Sequence, residues 1–171
     1  MRLILMRHAK SSWTEVGLTD HQRPLNARGR RDAPRMAAAL HDLDMAPDLV
    51  LSSDSVRTRA TWALMEDRFP EAEVRWLPSL YLASAHELQE AHLGGASECR
   101  TVMLLGHNPG ISHYLHHLSG EWHDLPTAAC IVLTPIDSGG PWRIVHDLRP
   151  RTLPPSLVKE SNDESSIGDH E

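Results

Sequence analysis

Only two cysteines occur in the 171 residues. Cys99 and Cys130 are too few for a disulfide framework or a thiolate zinc cage. Both lie in apolar stretches, so buried free thiols in a reducing compartment are expected. Aromatic residues are also scarce, at 5% of the chain. The five tryptophans are scattered, which predicts packing in the core and at its rim rather than an aromatic ligand platform. No long apolar run exists. Leu3-Ile4-Leu5-Met6, between Arg2 and Arg7, is shorter than a signal-peptide core, and nothing elsewhere approaches a membrane span. A cytoplasmic protein without a membrane partner is expected. Positive charge is not in excess either. Lys and Arg number 17 against 23 Asp and Glu, a net charge of −6. Such a chain is a poor general binder of nucleic acid, although one local basic pocket remains compatible with it.

What is present fits one globular domain. Hydrophobic residues make up 40% and charged residues 23%, which excludes a disordered chain and a collagen-like repeat. The length suits a single core. Short apolar runs recur and each ends in a polar cluster. Leu3–Met6 runs into Arg7-His8, Asp48–Leu51 into Ser52-Ser53, and Thr101–Leu105 into Gly106-His107. Continuous apolar runs of this length read as strands buried on both faces. Helical patterns lie between them. One starts after Asn26, a plausible N-cap, with Pro34 as a kink or a later start. A second runs from Ser55 or Val56 to about Phe69 with Ala60, Ala63 and Leu64 inward. Others cover Ala85 to Leu93, stopped by Gly94-Gly95, and Ile111 to Leu118. Further strands are expected at Glu73–Trp76, Ala128–Leu133 and Trp142–Val145. The alternation predicts an α/β fold, a three-layer α/β/α sandwich with a mostly parallel central sheet. The domain is expected over 1–150. A flexible acidic tail is expected over 151–171, the loss of periodicity starting at Arg149.

Open α/β sheets bind ligands beyond the carboxyl ends of their strands. The sequence therefore gathers Arg7, His8, Arg57 and His107 at one rim, with no carboxylate evident among them. Guanidinium groups match phosphate oxygens and stay charged at working pH. Histidine can act as nucleophile, acid, base or donor near neutrality. If His8 is a nucleophile, one ring nitrogen must be free and the other should donate to a group such as a backbone carbonyl. Arg7, Arg57 and His107 would then stabilise a transferring phosphoryl group. His113, His116 and His117 sit on or near one helix. They lack the glutamate of a His-Glu-x-x-His pattern and read as a solvated or packed face. Neither a metal nor another cofactor is implied.

The segment Arg7-His8-Ala9-Lys10-Ser11-Ser12-Trp13, directly after a terminal strand, resembles the signature of the histidine phosphatase superfamily, whose fold is phosphoglycerate mutase-like. The variant is similar to the small SixA-type phosphohistidine phosphatases. The resemblance continues through Arg23-Pro24-Leu25-Asn26, Ser52-Ser53-Asp54-Ser55-Val56-Arg57-Thr58-Arg59 and Leu105-Gly106-His107-Asn108-Pro109-Gly110. It implies that His8 is transiently phosphorylated and that Arg7 and Arg57 bind the phosphate. It implies that His107 contacts the phosphoryl group and that Arg23, with Lys10 and Ser11, binds substrate. Larger relatives carry a glutamate that protonates an alcohol leaving group. The matching stretch here, Leu77-Pro78-Ser79-Leu80-Tyr81, has no carboxylate, and Glu87 and Asp54 are the candidate substitutes. Imidazole leaves far more easily than alkoxide, so a missing acid favours phosphohistidine on a protein, such as a phosphorelay component. The alternatives are a phosphomonoesterase for a small phosphate ester and a non-catalytic phosphate-binding module.

Overall fold

A computed structural model of the chain describes residues 1–95 and 98–154. Six strands form one sheet: β1 (Arg2–Arg7), β2 (Leu49–Ser52), β3 (Glu73–Trp76), β4 (Thr101–Gly106), β5 (Cys130–Pro135) and β6 (Trp142–Leu148). Their spatial order is β3-β2-β4-β1-β5-β6. The neighbours β3, β2, β4 and β1 pair parallel, whereas β5 runs antiparallel to β1 and to β6. Four helices, α1 (Ala27–Asp42), α2 (Val56–Ala63), α3 (Ala85–Gly95) and α4 (Gly110–Ser119), complete the α/β architecture.

Alternation along the strands divides the core in two. Leu3, Leu5, Leu49, Leu51, Val102 and Leu104 face one side and pack with Ile111, Tyr114 and Leu115 of α4. Ile4, Met6, Val50, Met103 and Leu105 face the other and pack with Met36, Ala37 and Leu40 of α1 and Trp62 of α2. A strand covered on both faces gains nothing from polar alternation, which explains the unbroken apolar runs. Asn26 caps α1 by accepting from the Gly29 backbone N–H at 2.9 Å, and the helix continues through Pro34.

Several boundaries differ from the sequence expectation. Helix α2 ends at Ala63 rather than near Phe69. The Met65 N–H turns back to the Trp62 carbonyl at 2.7 Å, a tightened turn. Met65 and Phe69 thereby enter the core and Ala63 and Leu64 stay at the surface. Helix α3 runs through Gly94 and Gly95 instead of stopping before them. Gly95 lies close to the sheet there, where a Cβ would be 3.0 Å from Leu51 Cδ1. Strand β5 starts two residues late because Ala128, at φ 65°, turns its N–H onto the Arg7 and His8 carbonyls. Strand β6 extends to Leu148 through its pairing with Cys130. The residues just after Arg149 are also tied to the domain. Leu153 packs on the α1 side of the core, and its carbonyl accepts from Arg35 Nη2 at 3.0 Å. The rest of the expected tail, 155–171, lies outside the described residues. Cys130 is buried and Cys99 only half-buried; both are free.

Candidate active site

The parallel ladder fixes where the polar strand ends meet. Arg7 pairs with Gly106 across β1 and β4, and Ser52 with Leu105 across β2 and β4. The next residues, His8, His107 and Ser53, therefore emerge together beyond the carboxyl ends of adjacent strands. The His8 and Ser53 N–H groups extend the ladder, bonding the Gly106 and Leu105 carbonyls at 3.0 and 3.1 Å. Arg57, in the first turn of α2, reaches in from the side. All four sequence candidates, His8, Arg7, Arg57 and His107, line one pocket of about 280 Å³, together with Lys10, Ser11 and Arg23.

The imidazoles are held in defined tautomers by their partners. His8 Nδ1 lies 2.7 Å from the Ala9 carbonyl, which can only accept, so Nδ1 carries the proton. Nε2 is left with its lone pair and receives the Arg57 Nε–H at 3.3 Å. On His107, Arg57 Nη2 donates to Nδ1 at 3.3 Å, so the proton sits on Nε2 and is donated to Ser53 Oγ at 2.8 Å. The two rings are 5.2 Å apart, centroid to centroid. Burial, reinforced by the charges of the other histidine and of Arg57 and Arg7, pushes His8 down to about 3. Burial and the Arg57 charge push His107 down to about 4. Both rings are thus neutral at pH 7. His8 presents an unprotonated nitrogen to the pocket without needing a base to remove a proton.

Positive charge surrounds that nitrogen. Arg57 is buried and divides its donors between His8, His107 and Asp20, giving 2.6 Å to the Asp20 carbonyl and 3.0 Å to Asp20 Oδ2. Arg7 donates to the Leu125 carbonyl at 3.0 Å, while its Nε is buried and has no hydrogen-bond partner. Arg7 also lines the pocket and adds its charge there. Arg23 bridges Ser12 O, Asp20 Oδ1 and Ser11 Oγ and stacks on Trp13 at 3.1 Å. Among the described residues no group of three or more His, Cys, Asp or Glu is gathered as metal ligands. His113 and His116 instead lie against Trp122.

Asp20 is the carboxylate absent from the sequence reading. It lies in the pocket and accepts from Arg23, Arg57 and the Tyr81 hydroxyl. The Tyr81 bond first, then those from the two arginines, hold it well below the usual carboxylate range. Its signal in the sequence was slight, an Asp three residues before Arg23. Tyr81 and Ser53 were also missed as functional residues, although both fall inside quoted blocks. The two candidate acids are placed elsewhere. Glu87 turns onto the Ser84 N–H and hydroxyl at 2.8 and 2.9 Å. Asp54 lies 2.9 Å from His21 Nε2. Neither lines the pocket.

A strand-end pair of neutral histidines clasped by arginines, on this sheet order, defines a phosphoryl-handling class of site. The family model described as histidine phosphatase superfamily (branch 1) matches residues 3–98, and the chain belongs to that family. Its structural neighbours put it in the SixA-type branch. A solved Agrobacterium tumefaciens structure, described as a "putative phosphohistidine phosphatase SixA", superposes with a TM-score of 0.78 at 31% identity, covering 87% of this chain and 97% of that one. The protein histidine phosphatase SixA solved with tungstate shares the fold, with a TM-score of 0.75 at 23% identity, covering 90% of this chain and 100% of that one. An uncharacterised chloroplastic protein of Arabidopsis thaliana is 41% identical over 142 residues, 77% of this chain and 65% of that protein. An uncharacterised Mycobacterium tuberculosis protein is 35% identical over 107 residues, 63% of this chain and again 65% of that protein. The match thus spans just under two thirds of each of these two relatives. Among the described residues no helix is long and apolar enough to cross a membrane.

Proposed function

We propose that the chain is a metal-independent phosphatase that works through phospho-His8 and acts on phosphohistidine carried by a protein. His8 Nε2 attacks phosphorus and forms a P–N bond as the bond to the leaving group breaks. Arg7 and Arg57 stabilise the charge on the transferring oxygens, a role that cations fill without a bound metal, and neutral His107 positions Arg57 by accepting from its Nη2. A water then attacks phospho-His8, the P–N bond breaks with its electron pair returning to Nε2, and inorganic phosphate departs.

The observation that carries the choice of substrate is the state of Asp20. Among the described residues it is the one carboxylate lining the pocket, and Tyr81, Arg23 and Arg57 hold it ionised. An alkoxide leaving group needs a proton in the transition state, a contribution of roughly 10²–10⁴-fold. Asp20 has none to give at neutral pH. A phosphohistidine protonated on its second ring nitrogen departs as neutral imidazole, taking the P–N electron pair, and needs no such donor. The SixA names of the structural neighbours favour the same substrate. The unprotonated Nε2 of His8, held towards Arg57, favours an enzyme over a binding module.

The test compares kcat/KM for a phosphohistidine peptide, a phosphoserine peptide and an alkyl phosphate. The expected preference for phosphohistidine is at least about 10²-fold, and it should narrow in Ser79→Glu, which introduces a carboxylic acid two residues before Tyr81, the partner of Asp20. Equal rates in the wild type would move the small phosphate ester reading ahead.

A further inference from the structure

A second, larger concavity of about 620 Å³ adjoins the candidate active site. Thr127 lines both. Its walls carry five arginines, Arg28, Arg31 and Arg35 from α1 and Arg149 and Arg151 from the segment after β6, against two carboxylates, Asp32 and Asp124. Arg149 is paired with Asp147 through two hydrogen bonds, and the other four arginines still make this a local reversal of sign in a chain of net charge −6.

Asp32 explains how the arginines stay together. It is buried, and its carboxylate lies 3.4 to 3.8 Å from the guanidiniums of Arg28, Arg31 and Arg35. At that range it screens their mutual repulsion without consuming their donors, and its Oδ1 has no hydrogen-bond partner among the described residues. Arg28 Nη2 is spent on Thr127 Oγ1 at 3.0 Å, and Arg35 Nη2 on the Leu153 carbonyl. Arg31 and Arg151 are exposed, and neither has a side-chain hydrogen bond among the described residues. Arg28, Arg31 and Arg35 follow one face of α1 over about 10 Å. That spread suits carboxylates strung along a chain better than one compact phosphate.

We propose that this arginine groove binds an acidic segment of the protein substrate next to the phosphorylated histidine. The inference deepens the phosphohistidine reading and rests on it for the identity of the substrate. The groove supplies affinity and orientation, and the neighbouring pocket supplies the chemistry. Attraction in so exposed a site is strongly screened by salt.

Two readouts on the full chain test it, with Arg31→Ala/Arg151→Ala as the variant. The first is fluorescence anisotropy of a labelled, unphosphorylated Asp/Glu-rich dodecapeptide at low salt. The wild type should bind it at least tenfold more tightly than the double variant and lose it at high salt. The second is turnover of phosphohistidine peptides with acidic or neutral flanks. The variant should raise KM about tenfold for the acidic peptide alone, with kcat unchanged for both. Equal anisotropy curves for wild type and variant would overturn the proposal. So would tight binding of tripolyphosphate without binding of the peptide, which would make the groove a small-polyanion site. If the anisotropy result holds but no phosphohistidine peptide is turned over, the groove stands and the substrate reading of the active site falls.

Discussion

Replacing Arg57 by Ala is the most informative single change, because this side chain touches both histidines and Asp20. Its Nε meets His8 Nε2 and its Nη2 meets His107 Nδ1, each at 3.3 Å, while the same Nη2 holds Asp20 Oδ2 at 3.0 Å. Truncation removes a buried cation aimed at the attacking nitrogen. Loss of one such electrostatic donor in a dry site costs on the order of 3–4 kcal/mol of transition-state stabilisation, or roughly 10²–10³ in kcat/KM. The fold should survive. Asp20 is half-exposed and keeps its bonds to Arg23 and Tyr81, so no buried charge is stranded. Arg57→Lys should recover only part of the loss. An ammonium keeps the charge but cannot serve His8, His107 and Asp20 at once from a planar fork. The assay is kcat/KM on a phosphohistidine peptide, with thermal melting of each variant as the control for folding. A fall of less than tenfold in Arg57→Ala would refute the placement of this arginine at the reacting phosphoryl group.

Other consequences follow from the same geometry. His8 and His107 should both remain neutral at pH 5 in imidazole NMR spectra, because their folded values are about 3 and about 4; a ring titrating near 6 would contradict the burial argument. Unfolded imidazoles take up protons near 6.5, so between about 4 and 6.5 the unfolded chain holds more protons. Stability should therefore rise with pH across that window, and urea midpoints should fall steadily on acidification from pH 7 to 4.5. Gly110→Ala should be strongly destabilising, since its Cβ would lie 1.8 Å from the Ala83 carbonyl oxygen. A loss of roughly 1–3 kcal/mol is expected for forced overpacking, seen as a drop of several degrees in Tm. Ser53→Ala should lower kcat with little change in KM, because His107 loses the acceptor of its Nε2 proton and with it a hold on its ring orientation; an unchanged kcat would count against that role.

Much of the candidate site was legible because β1 and β4 each lead directly into a candidate histidine. Leu3–Met6 and Thr101–Leu105 were readable as doubly buried strands, and strand ends in one parallel ladder must meet. That brought His8 and His107 together before any geometry was known. Arg57 followed from its place at the start of the next helix. Asp20 was not legible, because it sits outside the regular elements, in a single turn of 3₁₀ helix (Asp20–Gln22). Its partner Tyr81 is 61 residues away. A carboxylate's role there depends on which cations the fold delivers, and no periodicity encodes that. The arginine groove was hidden for the same reason. Arg28, Arg31 and Arg35 look like an ordinary solvated face of α1 until the segment after β6 brings Arg149 and Arg151 opposite them. The misplaced end of α2 has a local cause, since Met65 enters the core through a tightened turn rather than by helical spacing.

The central claim is that the neutral Nε2 of His8 becomes phosphorylated during turnover. It is tested most directly by mixing enzyme with a 32P-labelled phosphohistidine peptide, quenching within milliseconds under alkaline denaturing conditions, and mapping the label on the chain. The account predicts a phosphoramidate, stable to base and lost in acid, at His8 in the wild type and absent in His8→Ala, which should be folded and inactive. Label at another residue, or turnover retained in His8→Ala, would contradict it.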